Sequence, residues 1–117
     1  LYHDFLAELA LEYPNFHYHP VVSRENGPNG QQGSYVHDYI ARTPELLDTV
    51  LSNPRTLLYL CGLSGMQVGL YKLLASLNRH HDYLRVPDKV MALDPSGWSP
   101  RDVRRIRPTK RCLVEVY

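Results

Sequence analysis

With 117 residues, 44% of them hydrophobic, and a net charge of +1, the chain can build one modest core and has no global basic field pointing at nucleic acid. No apolar run approaches the roughly 20 residues of a membrane span. Cys61 and Cys112 have neither metal-ligand spacing nor the density of a secreted disulfide framework, so a reducing, cytoplasm-like compartment is expected.

The opening LYHDFLAELALEY is no basic-then-apolar leader but reads as an amphipathic helix. Tyr2, Phe5, Leu6, Leu9 and Tyr13 recur at helical spacing, and Pro14 ends the pattern. A start at Leu1 rather than Met is read as a piece of something longer, missing residues on its N-terminal side. NFHYHPVVSRE is rich in aromatic and β-branched residues and predicts a strand ending at Ser23-Arg24. NGPNGQQG is turn material. Helical pattern resumes near Tyr35, and Thr43-Pro44 predicts an N-cap followed by proline at the first helical position. Leu46, Leu47, Val50 and Leu51 form the expected buried stripe, and Asn53-Pro54 breaks it.

TLLYLC is a continuous apolar run, of the kind buried on both faces of a parallel sheet. It leads through GLSGM into a helix with Met66, Leu70, Leu73, Leu74 and Leu77 on one side. From Arg85 to Arg111 the chain reads as irregular, and CLVEVY predicts a last strand. Helix and strand alternate without a repeat or linker. That is the α/β pattern of a parallel-sheet nucleotide-binding domain, incomplete on its N-terminal side because the usual first βα unit is absent.

Ligands of open α/β sheets bind at the carboxyl ends of the strands. Ser23 and Arg24 offer a hydroxyl and a planar guanidinium fork for phosphate, with Tyr35 beyond the loop to stack on a base. Gly62 and Gly65 allow close backbone approach at a helix N-terminus, beside a small, partly buried Cys61. Glu115 and Tyr117 alternate onto one side of the last strand. An aromatic chain end suggests a surface covered by something flat. His17, His19, His80 and His81 lack a third ligand at suitable spacing and read as surface histidines. Arg101, Arg104, Arg105, Arg107, Lys110 and Arg111 form a local basic cluster without an aromatic platform or nucleic-acid motif.

VSRE before a glycine loop, YLCGLSGM between strand and helix, and a terminal VEVY together resemble the C-terminal part of the NADP-binding domain of plant-type ferredoxin–NADP⁺ reductases. The likeness runs from about Leu1 to Tyr83 and returns for Cys112 to Tyr117. It implies that Ser23, Arg24 and Tyr35 hold the 2′-phosphate and adenine of NADP(H). Cys61, Gly62, Leu63, Gly65 and Met66 would then lie by the nicotinamide-ribose and pyrophosphate, with Glu115 at the nicotinamide and Tyr117 stacked on FAD. The implied catalytic residues are Cys61, Glu115 and Tyr117. The implied activity is electron transfer between NADP(H) and a ferredoxin, flavodoxin or other iron–sulfur carrier, by hydride transfer between nicotinamide and flavin, in the cytoplasm or a plastid stroma.

Two alternatives stand beside it: the reductase component of a bacterial oxygenase system, and a non-catalytic nucleotide-binding module. Gly33 and His37 stand where the family often has Lys and Gln, which weakens the expected preference for NADP over NAD. The stretch 85–111 is longer and more basic than in the plant enzymes, and docking of an acidic electron carrier there fits the family. A flavin-binding barrel is expected upstream of residue 1. The chain alone is expected to bind FAD poorly and not to complete the reaction.

Overall fold

The computed structural model describes residues 2–21 and 36–116, apart from the side chain of His37. Ser23, Arg24, Gly33, Tyr35 and Tyr117 lie outside the described residues. The chain divides into two compact units, residues 1–35 and residues 36–117.

In the first unit, helix α1 spans His3–Glu12. Of its apolar stripe, Leu6 and Leu9 are half-buried while Tyr2, Phe5 and Tyr13 are exposed. The helix stops as expected: Tyr13 N–H donates to Leu9 C=O at 2.9 Å, and Pro14 cannot continue the ladder. The strand expected from Asn15 is not formed over residues 16–21. Aromatic and β-branched residues suit a pleated surface, but a strand exists only where a neighbour takes up its backbone N–H and C=O groups. The segment instead turns back, bringing Tyr18 Oη to 3.1 Å from His3 Nδ1.

The second unit has the α/β architecture. Helices α2 (Val36–Ala41) and α3 (Pro44–Ser52) lead to strand β1 (Leu58–Gly62) and helix α4 (Ser64–Ser76). Then come α5 (His80–Tyr83), β2 (Leu84–Arg85), α6 (Asp88–Met91), a 3₁₀ turn (Pro95–Gly97), α7 (Pro100–Arg104), β3 (Arg107–Pro108) and β4 (Cys112–Val116). Strands β1 and β4 pair in parallel, from Leu58 opposite Cys112 to Gly62 opposite Val116. Strands β2 and β3 form a separate antiparallel ribbon. No helix of the described residues is long and apolar enough to cross a membrane.

The core gathers Leu51, Leu60, Leu70, Tyr71, Leu74 and Tyr83 with residues of the C-terminal stretch. Pro44 opens α3 as expected, but Thr43 bonds back to Ile40 C=O instead of capping. Only Leu51 of the predicted α3 stripe is buried and Leu47 half-buried, while Leu46 and Val50 face out. Helix α4 ends in a Schellman motif: Arg79 N–H donates to Leu74 C=O at 2.9 Å and Asn78 N–H to Ala75 C=O at 3.0 Å. Asn78 takes the left-handed position with φ 56°. Arg79 then forks onto Asp48 of α3, Nε to Oδ1 at 2.7 Å. That hydrogen bond holds the Asp48 carboxyl below its ordinary pKa.

The stretch 85–111 corrects the irregular reading. Its helices carry four or five residues each, too few for a full amphipathic period, yet Val90, Trp98, Val103 and Ile106 all enter the core. Trp98 is only 2% exposed, its indole N–H donating to Val90 C=O. Ser99 and Asp102 close a capping box over Pro100.

Arg111 fastens the start of the sheet. Its Nε donates to Thr56 C=O at 3.1 Å, and one Nη to Asn53 C=O at 2.8 Å and to Tyr83 Oη at 3.2 Å. Its guanidinium lies 4.7 Å from the Tyr83 ring centroid. Tyr83 in turn donates to Leu51 C=O at 2.7 Å. Hydrogen bonds from a charged donor contribute about 1.5–3 kcal/mol, so Arg111→Ala is expected to lower the unfolding free energy by about 2–3 kcal/mol, with Arg111→Lys restoring little. Urea denaturation of both variants checks this, and an unchanged midpoint for Arg111→Ala refutes it.

His80 is buried and its Nδ1 has no hydrogen-bond partner among the described residues. Burial, helped by the neighbouring His81, holds its pKa below the ordinary imidazole value. The folded state therefore favours neutral His80. Its contribution is complete above the unfolded pKa of 6.5 and is lost as the pH falls from there through the depressed folded value. Between about pH 7.5 and 5.5 the melting temperature is expected to fall more in the wild type than in His80→Gln. Equal pH slopes would exclude His80 as the titrating group.

Candidate functional site at the strand ends

A parallel pair puts register partners side by side on one face, and neighbours along a strand on opposite faces. Leu60 and Cys112 point into the core, with Leu58, Val114 and Val116 half-buried on the same side. Tyr59 and Leu113 are 58% and 57% exposed on the other face. The expectation that β1 is buried on both sides is thus corrected: within this unit the sheet is covered on one face only. The open-side positions of TLLYLC are Leu57, Tyr59 and Cys61, with no charged residue to mark them, which is why the alternation was not legible in it.

On that open face, Cys61 of β1 stands directly opposite Glu115 of β4, both exposed. Cys61 is therefore not the partly buried thiol expected from the sequence. The core thiol is Cys112, whose pKa burial pushes up. Two candidate residues 54 positions apart are brought together at the carboxyl ends of parallel strands.

The chain turns immediately after them. Gly62 has φ 150°, a conformation that side-chain-bearing residues rarely adopt. A Cβ there would also lie 2.6 Å from Met66 Cε. Leu63 occupies the N-cap place of α4 with no side-chain acceptor. The ladder begins with Met66 and Gln67 N–H groups donating to Leu63 C=O. The N–H groups of Ser64 and Gly65 precede that ladder, at the positive end of a 13-residue helix. A Cβ at Gly65 would meet nothing within 4 Å. A soft thiol, a carboxylate and an uncapped helix start suit a nucleotide laid across the strand ends, phosphate toward α4. Ser23, Arg24, Tyr35 and Tyr117 lie outside the described residues. Cys61, Gly62, Leu63, Gly65, Met66 and Glu115 are those placed at this edge. Tyr59 and Leu113 on the same open face were not singled out in the sequence.

A groove of about 500 Å³ between α2, α4 and the 3₁₀ turn, with Lys72, Asp94 and Ser96 in its wall, shares no residue with this edge. Among the described residues no three His, Cys, Asp or Glu side chains cluster as a metal site.

A family model described as the oxidoreductase NAD-binding domain matches residues 1–71, and the chain belongs to that family. More narrowly, it is similar to ferredoxin–NADP reductases. It is 36% identical to that of Synechocystis sp. over 80 residues, covering 66% of this chain and 19% of the relative. It is 38% identical to that of Spirulina sp. over 72 residues, 60% of this chain and 24% of the relative. The leaf-type chloroplastic isozyme of Nicotiana tabacum is 31% identical over 78 residues, 66% of this chain and 22% of the relative. The chain thus spans about a fifth to a quarter of the length of these curated relatives. The resemblance read from VSRE, CGLSGM and VEVY is borne out, as is the α/β fold with a parallel sheet.

The turn geometry separates the two glycines. Gly62→Ala forces an alanine into a strained backbone and is expected to lose about 1–3 kcal/mol of stability, while Gly65→Ala, in open space inside the helix, is neutral or gains up to about 1 kcal/mol. Chemical denaturation of the two variants decides it. Equal losses would mean the positive φ at Gly62 is not required.

Proposed function

We propose that this chain is the C-terminal part of the NADP-binding domain of a flavin-dependent oxidoreductase, whose flavin-binding barrel precedes it in the same polypeptide. The reaction is electron transfer between NADP(H) and a ferredoxin-, flavodoxin- or other iron–sulfur-type carrier. The reading is carried by the juxtaposition of Cys61 and Glu115 at the carboxyl ends of β1 and β4, beside the uncapped start of α4, in a chain of the oxidoreductase NAD-binding family. When bound, the nicotinamide ring donates or accepts a hydride, and FAD exchanges it for single electrons.

This chain's own contribution is orientation. The Ser64 and Gly65 N–H groups bind phosphate oxygens, and the bare Gly65 leaves room for them. Cys61 gives the nicotinamide a small, soft wall that holds its reacting carbon at transfer distance. Glu115 sets a negative charge beside a ring that is cationic only in its oxidised form, so it distinguishes the two redox states. With the cofactors bound, Ser23 and Arg24 would read the 2′-phosphate, Tyr35 the adenine, and Tyr117 would stack on the flavin.

Arg24→Ala in the full-length protein is expected to raise KM for NADPH by about 10- to 100-fold, the worth of one charge-assisted phosphate contact, with KM for NADH within about twofold. Steady-state kinetics with both nucleotides check this. Equal effects on the two would remove Arg24 from the 2′-phosphate site and with it the NADP reading.

A further inference from the structure

The groove of about 500 Å³ between α2, α4 and the 3₁₀ turn lies wholly within residues 36–117 and is not used by the strand-end site. Its volume falls in the range of about 300–1,000 Å³ usual for small-molecule sites. Ala41, Leu73 and Ala75 give it apolar wall, and Lys72, Asp38 and Asp94 bring three charges to the same space. The family model ends at residue 71, one position before Lys72, so the matched domain accounts for neither Lys72 nor Asp94.

Two of those charges have unused capacity. Lys72 is half-buried, yet it forms no ion pair or hydrogen bond among the described residues. Its own helix offers no partner: three and four positions away stand Val68, Gly69, Ala75 and Ser76, none of them charged. Asp94 keeps one oxygen spare. Its Oδ1 accepts both the Ser96 N–H at 3.0 Å and the Ser96 hydroxyl at 2.9 Å, which leaves Oδ2 without a partner among the described residues. Those two bonds hold the carboxyl below its ordinary pKa, so it stays ionised at neutral pH. A cation and an anion thus line one groove without pairing with each other.

A simple anion would satisfy Lys72 but meet the carboxylates of Asp38 and Asp94 in the same wall. A simple cation would satisfy Asp94 but meet the Lys72 ammonium. A molecule that carries both charges complements the wall. We propose that this groove binds a short zwitterion, its carboxylate paired with Lys72 and its ammonium with Asp94 Oδ2, with an apolar body of a few methylenes laid over Ala41, Leu73 and Ala75. The inference does not rest on the nucleotide reading, because the groove shares no residue with the strand ends.

The test follows 6-aminohexanoate binding to the full-length protein by saturation-transfer NMR, beside hexanoate and hexylamine, which have the same chain length and one charge each. The zwitterion is expected to bind about tenfold more tightly than either, the low end of what one charge-assisted contact contributes. Lys72→Met keeps the stem and removes the charge, and is expected to weaken 6-aminohexanoate about tenfold while leaving hexylamine no weaker. Asp94→Asn keeps an oxygen for the Ser96 donors, and is expected to weaken 6-aminohexanoate about tenfold while leaving hexanoate no weaker. A melting temperature near that of the wild type identifies the folded variant, and either one suffices if the other fails to fold. No saturation transfer, equal binding of all three probes, unchanged affinity in a folded variant, or displacement of the probe by NADP⁺ would each overturn the proposal.

Discussion

The candidate site sits at the carboxyl ends of two strands, but its alignment is fixed at their opposite ends, where one guanidinium gathers three chain segments. Arg111 takes the carbonyls of Asn53 and Thr56 just before β1 and holds Tyr83 at the start of the ribbon. Its own carbonyl accepts from Leu58 N–H at 2.8 Å, the first rung of the parallel pair. A shift of one residue in that rung moves each side chain of the strand to the other face. Cys61 and Glu115 would then no longer meet. The register of the chemistry is thus decided some 10 Å below it, by contacts that touch no ligand.

Much of this was legible in the sequence, for identifiable reasons. The strand and helix around CGLSGM were readable because a glycine pair separates an apolar run from a helical stripe. The break at Asn53-Pro54 and the start at Pro44 follow from the proline ring alone. The resemblance to a reductase rested on short motifs in a fixed order along the chain, and such motifs are visible without coordinates.

What was missed depended on partners rather than residues. Residues 16–21 have the composition of a strand, but composition does not supply the neighbouring ladder. Cys61 was expected to be partly buried because the run around it is apolar throughout; only the layer packed on the sheet decides which alternate residues are covered. The C-terminal stretch was opaque for a different reason. Its burial comes from single residues on very short helices, and Val90, Trp98, Val103 and Ile106 show no period that a window can detect.

That stretch also carries the connections that bring β4 to β1. Leu58 and Cys112 are 54 positions apart, whereas Leu84 and Pro108 of the ribbon are 24 apart. Closing the ribbon first shortens the remaining loop, but loop entropy grows so slowly with length that this gains only about 0.5 kcal/mol. The larger effect is positional: Thr109, just after β3, binds Tyr83 C=O and Asp82 C=O, which delivers Arg111 and then β4 to the waiting edge of β1. The candidate edge accordingly depends on a segment far away from it in the chain.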